Sequence, residues 1–98
     1  MKSYKDLIVW QKSMSLVNEI YLTTKSFPEE EKFSLVSQMR RSAISIPSNI
    51  AEGYGRGSKS EYARFVKIAR GSMYELDTQM EIAKSQKFLT QENYKNII

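Results

Sequence analysis

Seven basic side chains in the middle third of this 98-residue chain could do chemistry with another molecule: Arg40, Arg41, Arg56, Lys59, Arg64, Lys67 and Arg70. That chemistry is phosphate recognition. A guanidinium fork matches pairs of phosphate oxygens and stays charged at any physiological pH. All five arginines of the chain belong to this set. Residues 38–72 set these seven cations against only Glu52 and Glu61, a local excess of five positive charges. Residues 1–37 balance five lysines with five carboxylates, and residues 73–98 are slightly acidic. The basic character of the chain, +4 in total, is therefore concentrated in one segment.

Other chemistries lack their residues. With no histidine there is no Ser-His or Cys-His dyad, and the commonest metal ligand is missing. With no cysteine there is neither a disulfide framework nor a thiolate metal site, which fits a reducing compartment and predicts a cytoplasmic protein. Glu75, Asp77 and Glu81 lack the paired inward carboxylates and histidines of a di-iron bundle. No metal, no cofactor and no enzymatic activity are expected. The segment Gly53–Ser60 imitates a phosphate loop, but Ser58 stands where the second glycine belongs, and a helix rather than a strand comes before it. The N-terminus has no apolar run of signal-peptide length, and no stretch approaches the roughly 20 residues of a membrane span.

The elements that must position the basic residues are helical. Ser3 and Asp6 fit a capping box ahead of a first helix, whose apolar stripe is Leu7, Trp10, Met14, Val17 and Tyr21. Thr23-Thr24 and Phe27-Pro28 end it. Pro28-Glu29-Glu30-Glu31 reads as the start of a second helix, with Val36, Met39, Ala43, Ile46 and Ile50 as its core row. Beside them runs a polar row, Ser34, Gln38, Arg41, Ser45, Ser48 and Glu52, whose small members predict close approach of another helix. The apolar spacing passes through Pro47, so one kinked helix is expected rather than two. Gly53 to Gly57 ends that helix, and Ser58 with Glu61 caps a third, about 58–87, with Phe65, Ala69, Ser72, Leu76, Met80 and Ala83 inward. Gly71 within it predicts a close helix contact. Thr90 caps a fourth helix, whose stripe opens with Tyr94, Ile97 and Ile98; the expectation is a truncated fourth helix. No strand pattern or long linker appears. The pattern predicts one all-α domain over residues 1–98, an antiparallel up-down four-helix bundle.

The run from Leu35 through Gln38, Arg40-Arg41-Ser42-Ala43 and Ser45-Ile46-Pro47-Ser48-Asn49-Ile50-Ala51-Glu52-Gly53 resembles a known signature. It is that of small four-helix bundle proteins encoded in intervening sequences of bacterial large-subunit ribosomal RNA genes. Val9-Trp10-Gln11-Lys12 and Ala69-Arg70-Gly71-Ser72-Met73 with Glu75-Leu76 resemble its first- and third-helix motifs. The resemblance implies a bundle that assembles as a ring, typically a homopentamer. A related branch, the accessory proteins of diversity-generating retroelements, is basic and associated with reverse transcriptase and nucleic acid. The resemblance implies no catalytic residues.

Two functional readings follow. In the first, the chain is a homo-oligomer that binds RNA or DNA. Arg64, Lys67 and Arg70 fall at i, i+3 and i+6 on one side of the third helix, Arg56 and Lys59 lie just ahead, and Tyr54 and Tyr62 are candidates to stack on bases. Arg40 and Arg41 join them unless they turn inward to pair with Glu52. In the second, the chain is a structural oligomer with a protein partner, and Arg41, Asn49 and Glu52 form a polar network. Apolar residues pointing in several directions, such as Leu7 and Ile8 or Phe65 and Val66, predict self-association in either case.

Overall fold

The computed structural model describes residues 3–97; Ile98, expected in the fourth apolar stripe, lies outside them. The helices are α1 (Ile8–Thr24), α2 (Leu35–Gly55), α3 (Lys59–Ser85) and α4 (Gln91–Ile97), and no described residue is in a strand. Short connections turn each helix back along the one before. α1 and α3 both pack on α2, and α4 returns onto α1 and α3. This is the expected all-α antiparallel bundle, 43 × 20 × 19 Å. Its length follows from α3, whose 27 residues span about 40 Å.

The N-terminal capping box forms on both sides, but it caps a 3-10 turn, Tyr4–Asp6, and not the long helix. Leu7 is extended, and α1 begins after it. Leu7, Trp10 and Val17 of the predicted stripe pack partly buried against the core, but the fully buried face of α1 is shifted toward Ile20, on the flank of that stripe. Ser13, Ile20 and Thr24 are buried, whereas Met14 and Tyr21 stay more than a third exposed. Apolar residues wrap most of this helix, so its pattern does not single out one row. Burial of two hydroxyls is tolerated because Ser13 and Thr24 donate to the carbonyls of Trp10 and Ile20.

Pro28 and the three glutamates do not open α2. They form a separate 3-10 turn, Glu29–Glu31, and the backbone at Ser34 (φ −122°, ψ −104°) then changes direction before α2 starts. The break admits Leu35 and Val36 to the core and leaves Phe33 89% exposed. From there the predicted row Val36, Met39, Ala43, Ile46 and Ile50 is buried throughout. Pro47 sits inside one continuous helix, as expected.

α2 and α3 approach closely at Gly53. A Cβ there would lie 2.6 Å from Cβ of Phe65, so only glycine fits. Further along, the Ser42 hydroxyl donates to Glu75 Oε1 at 2.6 Å, and the Ser72 hydroxyl donates to Ser45 Oγ at 2.9 Å. Of the polar row predicted to face another helix, Ser45 makes this contact; Ser34, Gln38, Arg41, Ser48 and Glu52 are exposed, because the helix turns Ser42 toward α3 instead. Gly71 is not a contact point either. It is exposed, and a Cβ there would meet nothing within 4 Å.

The Ser58 hydroxyl accepts from the Glu61 amide and starts α3. α3 ends at Ser85, two residues before the expected limit. Lys87 takes a left-handed conformation (φ 68°), with the Phe88 amide donating to the Ala83 carbonyl and the Lys87 amide to that of Lys84. This reversal sets Phe88 against Phe27, with ring centroids 5.7 Å apart, and buries Leu89, closing one end of the bundle. Thr90 caps α4 through the Asn93 amide. Tyr94 and Ile97 pack on the core from α4.

Candidate nucleic-acid interface

α3 buries Phe65, Ala69, Leu76, Met80 and Ala83, so side chains half a turn away face solvent. Lys59, Lys67 and Arg70 are among them, and all three are exposed. Lys59 and Arg70 stand 11 positions apart, about 16 Å along the helix. Among the described residues no carboxylate pairs with any of them. Tyr74, one turn beyond Arg70, is 69% exposed on the same side. This is the aromatic side chain that the face presents. Tyr54 and Tyr62, the expected stacking residues, are half-buried, and Tyr62 packs against the core. The spacing of Tyr74 four residues after Arg70 and seven after Lys67 is the signal that could have found it.

The head of the predicted strip is internally compensated. Arg56 pairs with Glu52 at 2.8 Å, and Arg64 grips both carboxylate oxygens of Glu61 at 2.9 and 3.2 Å. The hydrogen bond from Arg64 holds the Glu61 carboxyl below the usual carboxylate range, and the same bond raises the Arg64 guanidinium. Both guanidinium groups also lie over the Phe65 ring, 5.1 and 4.5 Å from its centroid. Such solvated pairs are weak and exchange readily, so Arg56 and Arg64 are reserve charges at the edge of the face.

Arg40 and Arg41 are not part of the α3 face, and neither pairs with Glu52, because all three sit on α2 and the rise of the helix sets them about 16 Å or more apart; Glu52 pairs instead with Arg56, just past the end of α2. Arg40 crosses to α1, where its Nε donates to Thr24 Oγ1 at 3.0 Å and its guanidinium lies 4.4 Å from the Tyr21 ring centroid. Arg41 is exposed on α2. The expected network of Arg41, Asn49 and Glu52 does not form within the chain, since Asn49 donates to Ser45 instead. The three candidate carboxylates also have separate partners: Glu75 accepts from Ser42, Asp77 from Tyr94, and Glu81 pairs with Lys84.

Reading the sequence also missed an open groove of about 440 Å³ beside Arg40 and Arg41, lined in part by Lys32, Phe33, Val36 and Ile44. Its key feature, the exposed Phe33, depends on the break at Ser34, which the run of glutamates conceals.

Fold and charge together define a small all-α bundle whose longest helix turns a cationic face outward. The chain belongs to the 23S rRNA-intervening sequence protein family, which matches it over residues 5–98. No curated protein matches the chain.

Proposed function

We propose that this protein is a non-enzymatic cytoplasmic accessory protein that assembles as a homo-oligomer and holds RNA or DNA against the outer face of α3. The observation that carries this reading is the set Lys59, Lys67 and Arg70, three exposed cations with no carboxylate partner among the described residues. They meet the phosphate backbone, and Tyr74 offers a ring beside it. Exposed apolar residues on each long helix, Ile8 and Leu22 on α1, Ile44 on α2 and Ile68 and Ile82 on α3, support self-association. A cyclic assembly, five copies by family resemblance, repeats the cationic face around its axis and multiplies a modest charge.

The test is binding of RNA and DNA across a salt series, for the parent and for Lys59→Ala/Lys67→Ala/Arg70→Ala. Loss of three phosphate contacts makes the slope of log K against log salt shallower by about 2 to 3. Light scattering on the same samples reads the oligomer. If the parent binds nothing at low salt, the second reading replaces this one: an oligomer that engages a protein through the apolar residues named above.

A further inference from the structure

The groove at the start of α2 has a composition of its own. Its rim carries Lys32, Arg40 and Arg41, and no carboxylate lines it. Its floor is apolar, from Val36 and Ile44, and Phe33 stands at its edge. Phe33 lines the groove at its rim, and at 89% exposed its ring stands largely in water. The Lys32 ammonium lies 5.5 Å from its centroid, on a flexible stem that can swing aside. Arg40, by contrast, is held in place. It is clamped between the Tyr21 ring, Thr24 Oγ1 and the Tyr21 carbonyl, all uncharged acceptors, so its positive charge remains uncompensated.

We propose that Phe33, Arg40 and Arg41, with Lys32, form a subsite for single-stranded nucleic acid, with an unpaired base stacked on Phe33 and the flanking phosphates on the two arginines. This rests on the nucleic-acid reading above and adds which form of nucleic acid the protein prefers. Charge complementarity selects a polyanion, and the exposed ring selects bases that are free to stack. In a duplex the base faces are already stacked on one another, so Phe33 has nothing to engage. An acidic peptide would meet the same cations, but its apolar anchor gains most from an enclosed pocket, and this groove is open, with Phe33 and Ile44 both exposed. Phe33 is mostly in water, so replacing it leaves the core intact.

The experiment measures fluorescence anisotropy of a labelled single strand and of a duplex of equal length, with Phe33→Ala, Phe33→Leu, Phe33→Trp and Arg41→Ala. The parent binds the single strand more tightly than the duplex. Phe33→Ala weakens single-strand binding by roughly 5- to 100-fold without changing the salt slope. Phe33→Trp retains affinity and Phe33→Leu does not, since leucine keeps apolar area but has no ring face. Arg41→Ala makes the slope shallower by roughly one phosphate contact.

Retained binding in Phe33→Leu, or displacement of the strand by an acidic peptide with an apolar anchor, overturns the proposal in favour of protein docking. A lower molar mass for Phe33→Ala in light scattering overturns it in favour of a subunit contact. If Phe33→Ala binds like the parent while the α3 triple variant weakens, only this subsite fails. If the parent binds neither form at low salt, both readings fall.

Discussion

The two sides of α2 are closed by different means. Against α3 it presents Ser42, Ser45 and Gly53, residues small enough for the backbones to approach until hydroxyls bond across the seam and Gly53 touches Phe65. Against α1 it meets large side chains, and an open groove of about 300 Å³ remains, lined by Trp10, Met14, Val17, Ile44 and Pro47 among others. The tight seam stabilises by dense packing and fixed polar bonds. In the loose seam, apolar surface stays in contact with water, and α1 keeps Ile8 and Leu22 exposed as well. The seam that holds α3 in place is thus the one that also orients the cationic face, while the loose seam adjoins the Phe33 groove.

The largest expected effect tests this difference directly. Leu76→Ala on α3, where Leu76 is 2% exposed, costs about 2–5 kcal/mol, whereas Met14→Ala costs about 1 kcal/mol or less. Urea unfolding midpoints of the two variants measure it, and equal losses would erase the distinction between the seams. Next comes Gly53→Ala. Its new methyl overlaps Phe65, so α2 and α3 must separate, at a cost of about 1–3 kcal/mol. Gly71→Ala has the opposite sign. Its methyl points into open space within a helix, so thermal melting should show a gain of about 0.5–1 kcal/mol. A loss there would mean that another molecule covers the outer face of α3 closely in solution.

The smallest effect concerns α4, which is tied to α3 by one strong bond. The Tyr94 hydroxyl donates to Asp77 Oδ1 at 2.7 Å, and this hydrogen bond to the carboxylate pushes the phenol up to about 12 from an ordinary 10. A raised folded-state value means that the contribution is complete below pH 10 and is lost as pH rises toward 12. Melting temperatures between pH 9 and 12 should fall more for the parent than for Tyr94→Phe. Parallel curves would show that the bond contributes nothing in solution.

Much of this fold was legible before any coordinates. Val36, Met39, Ala43, Ile46 and Ile50 recur at helical spacing with polar residues between them, and all five are buried. The Ser58 cap and the glycines before it mark the α2–α3 turn, where Gly57 adopts φ +80°. α1 was harder, because Leu7, Ile8, Val9, Trp10, Met14 and Leu16 surround the helix, and spacing alone cannot choose among overlapping rows. The candidate interface was legible in part. Lys67 and Arg70 follow from their distance around the helix from Phe65 and Ala69. Tyr74 follows the same rule once the face is known.

By itself the sequence determined the helices, their order and the segment that carries the excess charge, because periodicity, caps and composition are local properties. Only the tertiary structure decided which of those charges are free. The pairs of Arg56 with Glu52 and Arg64 with Glu61 are local, one helical turn apart, and stay weak in water. Tyr21 and Thr24, far away in the chain, fix the position of Arg40 without neutralising it, because α1 lies against that side of α2. The exposure of Phe33 was decided in the same way. The backbone at Ser34 must turn for Leu35 and Val36 to reach the core, and their burial leaves the neighbouring ring outside.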